Sequence, residues 1–181
     1  MAATTDPVRW EKEAQTAYAQ GAYEAAAQAF ENAALAYEES GETLKAAEMR
    51  NNASVAWLQA EHPEAALRCV EGTPELFARA GDERRQALAL GNQAAALEAL
   101  GQAETALNLY RQAADGLKAV GEMENYALVM RRISALQVQT GRRVDALLSM
   151  QAALEHQPRL SPRERVLKSL IGTVQRLMGI K

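Results

Sequence analysis

Lys12, Asn52, Asn92 and Arg132 recur every 40 residues along the chain, with Asn51 and Arg131 standing beside two of them. These residue types suit recognition. An asparagine amide both donates and accepts, so a row of them can bond the backbone amides of a partner chain. The guanidiniums of Arg131 and Arg132 can pair a carboxylate bidentately. Residue types suited to catalysis are sparse. The single cysteine, Cys69, lies in the apolar stretch Ala65 to Val70 with no evident activating base, and reads as a small buried hydrophobe. The two histidines, His62 and His156, have no companion at metal-ligand spacing and read as surface residues. Carboxylate pairs such as Glu38/Glu39 and Glu122/Glu124 fall at helix starts or on solvated faces, where the helix dipole or water accounts for them. The phosphate-binding pattern G-x-x-x-x-G-K is absent. No catalytic residue, cofactor or metal site is expected.

Those side chains need elements to position them, and composition says the elements are helices. The chain has 181 residues, 48% of them hydrophobic but only 5% aromatic, so its apolar content is largely Ala and Leu, strong helix formers. Small alanines also let helix axes approach closely. A net charge of -3 offers no basic field for nucleic acid, and no nucleic-acid partner is expected. One cysteine excludes an internal disulfide. No apolar run is long enough to span a bilayer, and residues 1–10 lack a signal pattern, so a cytoplasmic protein without membrane association is expected. Charge is uneven. The stretch from Pro158 to Lys181 is +5, and the first 157 residues carry -8.

The 40-residue period is general. Ala26, Ala66, Ala106 and Ala146 mark it, followed four residues on by Phe30, Val70, Tyr110 and Met150. Glycines mark half-periods at 21, 41, 81, 101, 121 and 141; only position 61 breaks the series, where Glu61-His62-Pro63 is expected to turn the chain by other means. A fixed period of this length is the signature of stacked repeats. Each unit reads as two helices, and the face each pair leaves open is buried by the next pair. One domain over residues 1–181 is expected, with repeats at about 1–40, 41–80, 81–120 and 121–160 and a capping helix at about 162–179.

Two departures stand out. Gly72-Thr73-Pro74 interrupts the second helix of unit two, so a break or sharp kink is expected near 71–74, with Thr73 capping a fresh helix and Pro74 in its first turn. It is read as a tolerated irregularity, the alternative being a bend that reshapes a binding surface. In the tail, Ser161-Pro162-Arg163-Glu164 is a capping-box pattern ahead of an apolar stripe of Leu167, Leu170, Ile171, Val174, Leu177 and Met178. That helix is read as the terminal cap of the stack. The alternative is a basic amphipathic helix for an anionic membrane or an acidic partner.

The columns resemble tetratricopeptide repeats in a lengthened 40-residue form. Unit three carries the resemblance best, through Leu90, Asn92, Ala94, Leu97, Gly101, Ala106, Tyr110 and Ala113. Unit one follows with Trp10, Ala14, Gly21, Ala26, Phe30 and Ala33, and unit four with Met130, Ser134, Gly141, Ala146, Met150 and Ala153. Unit two is weakest: Arg50, Ser54, Trp57, Ala66 and Val70 fit, but Glu61 and Thr73 do not. The resemblance covers roughly residues 7–157. It implies an all-α, right-handed solenoid of four antiparallel helix pairs plus the C-terminal cap, acting as a non-catalytic adaptor or scaffold. Six residues beyond the common repeat length would deepen the walls of its superhelix.

In such a fold the first helix of each unit lines the concave face. The resemblance therefore places Lys12, Asn51, Asn52, Asn92, Arg131 and Arg132 in a groove that holds a partner peptide or helix. Gln15, Val55, Ala95 and Ala135 form a smaller row beside them. The family's clamp for a C-terminal carboxylate is matched in part, by Asn52, Asn92 and Arg131 or Arg132, but Glu11 stands where its first lysine would be. The alternative function is a self-associating structural module, a homo-oligomer built through the solenoid end or the basic C-terminal helix.

Overall fold

The computed structural model describes residues 6–179. Lys181, counted in the basic tail, and the side chain of Met178, placed in the apolar stripe, lie outside what is described. Helix α1 (Pro7–Ala19) pairs with α2 (Tyr23–Glu39), and α3 (Thr43–Gln59) with α4 (Pro63–Val70) and α5 (Thr73–Arg79). Helix α6 (Glu83–Ala99) pairs with α7 (Ala103–Ala119), and α8 (Met123–Gln139) with α9 (Arg143–His156). Helix α10 (Pro162–Met178) packs on α9. The protein is an all-α solenoid of antiparallel helix pairs, as the repeat columns predict.

Every junction up to α9, apart from the α4–α5 break, is made by one device. The amide three residues beyond the helix end bonds back five residues: Ala22 to the Ala17 carbonyl at 2.9 Å, Glu42 to Tyr37 at 2.8 Å, His62 to Trp57 at 2.9 Å, and on to Arg142 with Gln137 at 2.7 Å. This closure needs a left-handed residue just after the helix, normally glycine. The junction at 61 is no exception. Glu61 itself adopts φ 61°, and the same closing bond forms. The expectation of a different turn there is corrected: tertiary packing forces a glutamate into the glycine conformation. A left-handed L-residue costs about 1–2 kcal/mol, partly offset by glycine's larger unfolded-state entropy. Glu61→Gly is therefore expected to stabilise the protein by about 0.5–1 kcal/mol in urea denaturation. A loss of stability would show that the Glu61 side chain contributes more than its backbone costs.

The small-residue columns set the close packing within pairs. Ala14, Ser54 and Ala94 on the first helices are fully buried, as are Ala26, Ala66 and Ala106 on the second. In the fourth unit the Ser134 hydroxyl donates to the Ala146 carbonyl at 2.7 Å, so helix backbone and facing side chain meet directly. Between α6 and α7 the helices come close at Gly116, where an added Cβ would stand 2.9 Å from that of Ala87. The larger core residues fall into groups. Phe30 and Tyr37 anchor the first units; Leu107, Tyr110, Leu117 and Leu136 anchor the last two. Between them, Phe77 and Val70 pack with Ala47 and Ala89.

The expected break falls where the sequence places it, but its chemistry differs. Gly72, at φ 77°, is the residue that precedes α5, and Thr73 lies inside the helix. The Thr73 hydroxyl reaches back to the Val70 carbonyl at 2.8 Å and ties the two short helices together, so it does not cap the new one. Thr73, Pro74 and Phe77 are all buried. The turn therefore directs three side chains into the core.

The tail also departs from expectation. Its capping box forms: Ser161 accepts from the Glu164 amide at 3.3 Å, and Glu164 accepts from the Ser161 amide at 2.7 Å. The helix does sit at the end of the stack. Among the described side chains of its apolar stripe, however, only Ile171 is buried; Leu167, Leu170, Val174 and Leu177 face outward.

Candidate cleft between α6 and α8

Helices α3 and α6 pack together, and across them the Asn92 amide donates to the Asn51 side-chain oxygen at 3.0 Å. Helices α6 and α8 instead face each other across a cleft of ≈ 390 Å³, with Tyr110 and Leu117 of α7 at its floor. Leu88 and Gly91 line the α6 wall, and Val129 and Arg132 the α8 wall. Gly91 keeps the cleft narrow there, since its missing Cβ would already touch Val129 at 3.8 Å. At the helix starts Arg84 bridges to Glu122, which also accepts from Asn125 at 2.9 Å. The cleft is thus tied at one end and open along its length.

Beyond α8 the surface continues. Leu128 and Arg131 also line a second hollow of ≈ 610 Å³ bounded by Glu124, Pro158 and Arg159. Leu128 stands on the ridge between the two, 61% exposed. Leu128 is thus an apolar side chain shared by two concave surfaces.

The polar residues divide by what they already hold. Arg131 bonds Gln157 and lies 2.6 Å from Glu164, so it fastens α8 to the start of α10. The Ser161 amide and hydroxyl, with Arg131, hold the Glu164 carboxyl down at about 2. Asn51 and Asn92 bond each other. Arg132 is 64% exposed, and its contact is a loose 3.7 Å approach to Glu98. Glu98 is meanwhile taken by the Tyr110 hydroxyl at 2.7 Å. Burial, reinforced by Glu98, keeps that phenol protonated well beyond its usual range. Lys12 is exposed on α1, beside a separate shallow hollow at the other end of the stack. Asn52 is half-buried on α3. The cleft thus brings Asn92, Arg131 and Arg132 together and leaves Lys12 apart. Glu11, the residue at odds with a carboxylate clamp, accepts from the Tyr37 hydroxyl at 2.8 Å and serves the first helix pair.

Leu128 was not among the residues singled out from sequence. Its signal is an apolar residue on the outward side of a helix whose inward side is already apolar.

Cys69 is buried, and its thiol donates to the Glu31 carboxylate at 2.9 Å, which also accepts from the Trp57 indole at 2.9 Å. Burial first, then Glu31, push the thiol up to about 12, outweighing the downward pull of Arg68 and Arg50. Arg68, its neighbour in sequence, is thus a basic group that the sequence reading passed over. Thiol reagents are expected to leave the native protein unmodified at pH 8 and to label one thiol fully in urea. Fast labelling of the native state would contradict this burial. His156 is also less exposed than expected: its ring packs edge-on to Tyr126 at 5.1 Å. Among the described residues no group of three or more His, Cys, Asp or Glu side chains could hold a metal ion. None of their helices is long and apolar enough to cross a membrane.

Stacked antiparallel helix pairs with a concave cleft define a TPR-like helical-repeat protein. Residues 10–153 match the family described as soluble NSF attachment protein, SNAP, and the chain belongs to that family. It is a family of protein-interaction adaptors without enzymatic activity. No curated protein matches the chain.

Proposed function

We propose that this protein is an adaptor that holds a segment of a protein partner in the cleft between α6 and α8 and over the Leu128 ridge. The observation that carries the reading is the cleft itself: an apolar wall and floor beside an exposed leucine, with Asn92 and Arg132 on its edge. Arg132, held by one loose contact, would pair a carboxylate or carbonyl of the partner. Arg131 and Asn51 would position the wall, since both are engaged inside the protein. Lys12 and Asn52 would extend the contact toward the N-terminal end if the partner segment is long. The family name gives NSF as the protein attached, and a protein of that kind is the first partner to test. We take the repeat to be a long, 40-residue tetratricopeptide variety, residues 1–181 to be one domain, and the cytoplasm to be its location.

The test is affinity capture from lysate of the source organism with wild type and a Leu128→Glu, Arg132→Glu double variant. Both positions are exposed, so the variant should fold normally by circular dichroism. A protein retained by wild type and lost by the variant supports the reading. Equal retention by both overturns it.

A further inference from the structure

Helix α10 is docked by little of its surface. Its N-terminus is fastened through Glu164 to Arg131, and Ile171 and Gln175 are buried. The rest of its apolar surface points away from the stack. Val166 is 60% exposed, Leu170 58% and Leu177 83%, with Leu167 and Val174 also exposed. At 3.6 residues per turn these five side chains form one continuous stripe along the helix. Four basic residues, Arg163, Arg165, Lys168 and Arg176, share the helix with a single acid, Glu164, which Arg131 already neutralises. From Arg142 to Gly179 there are seven basic residues and three acidic ones, so this end of the solenoid is positive although the chain is negative. Acidic groups of the preceding repeats that lie beyond about 8–10 Å are screened at physiological salt.

Length, an exposed apolar stripe and cationic side chains on one helix are the combination that binds in the plane of an anionic bilayer surface. A second copy fits the same stripe less well, because like-charged helices would be brought together. We propose that α10 is a membrane-surface helix: its stripe of Val166, Leu170, Val174 and Leu177 inserts among anionic lipids while its Arg and Lys side chains reach the headgroups. The cleft between α6 and α8 would then be displayed beside a membrane.

The experiment is sedimentation of the full chain with vesicles of phosphatidylcholine alone or mixed with phosphatidylserine. Wild type is expected to bind the mixed vesicles, to leave the neutral ones in solution, and to release as salt rises. Leu170→Glu with Leu177→Glu is expected to weaken binding more than about tenfold. Arg165→Glu with Arg176→Glu is expected to remove the preference for phosphatidylserine. Four results would overturn the proposal: no binding by wild type, equal binding to both vesicle types, binding unchanged in both variants, or a lipid-free mass that rises with concentration only when Leu170 and Leu177 are intact. The last would assign the stripe to a second copy.

Discussion

Phe77→Ala is expected to lower the stability of the protein by about 3–5 kcal/mol. Phe77 is fully buried and packs with Val70, Ala47 and Ala89 where the first two repeats meet the last two. It lies on α5, a helix of 7 residues that begins from a glycine with no side-chain cap. So short a helix does not persist on its own in water; tertiary packing must hold it. Removing the ring leaves a cavity beside alanines too small to fill it, which places the cost toward the upper end of the range. Because repeats draw stability from their neighbours, the loss should appear as a lower midpoint, or as separate melting of the two halves. A cost below about 1 kcal/mol would mean that α4 and α5 form a loose joint. That outcome would revive the reading of the Gly72-Thr73-Pro74 break as a bend serving the binding surface.

The second large effect concerns the cleft. Leu128→Glu is expected to weaken partner binding by about 2 kcal/mol, roughly thirtyfold, while changing stability by less than about 0.5 kcal/mol. The contrast follows from position. Leu128 is mostly exposed in the free protein, so the folded state has little to lose. A partner that spans the cleft and the adjoining hollow must cover it, and the substituted carboxylate would then be buried without a partner of its own. Arg132→Ala should act more weakly at physiological salt, because its charge stays largely solvated. Its effect should grow as salt is lowered.

These expectations depend unequally on what could be read from residues alone. The 40-residue columns carry the pair packing, because the small residues that let helices meet recur at fixed spacing. The glycines at half-periods mark where most of the helices end. Glu61 shows the boundary of such reasoning: a residue poor at left-handed geometry adopts it because the helices on either side have already fixed the path. Thr73 shows another, since its hydroxyl has two acceptable partners and only the packed structure selects the Val70 carbonyl. The row of Asn and Arg residues was legible as a polar face, but its division was not. Arg131 and Arg132 are adjacent in sequence, yet one is consumed by Glu164 from the tail and the other is left for the cleft. That depends on where Gln157 and the start of α10 land, 26 and 33 residues further along the chain. The cleft is likewise a property of three helices, with walls from α6 and α8 and a floor from α7, and no single stretch of sequence announces it.

Recognition in the cleft is decided by a calorimetric titration of the captured partner. Wild type, Leu128→Glu and Gln112→Ala, an exposed position on α7 outside the cleft, would be titrated at the same salt concentration. Wild type and Gln112→Ala should bind alike, with Leu128→Glu at least about tenfold weaker. Equal affinities for all three proteins would move the binding surface off the α6–α8 cleft.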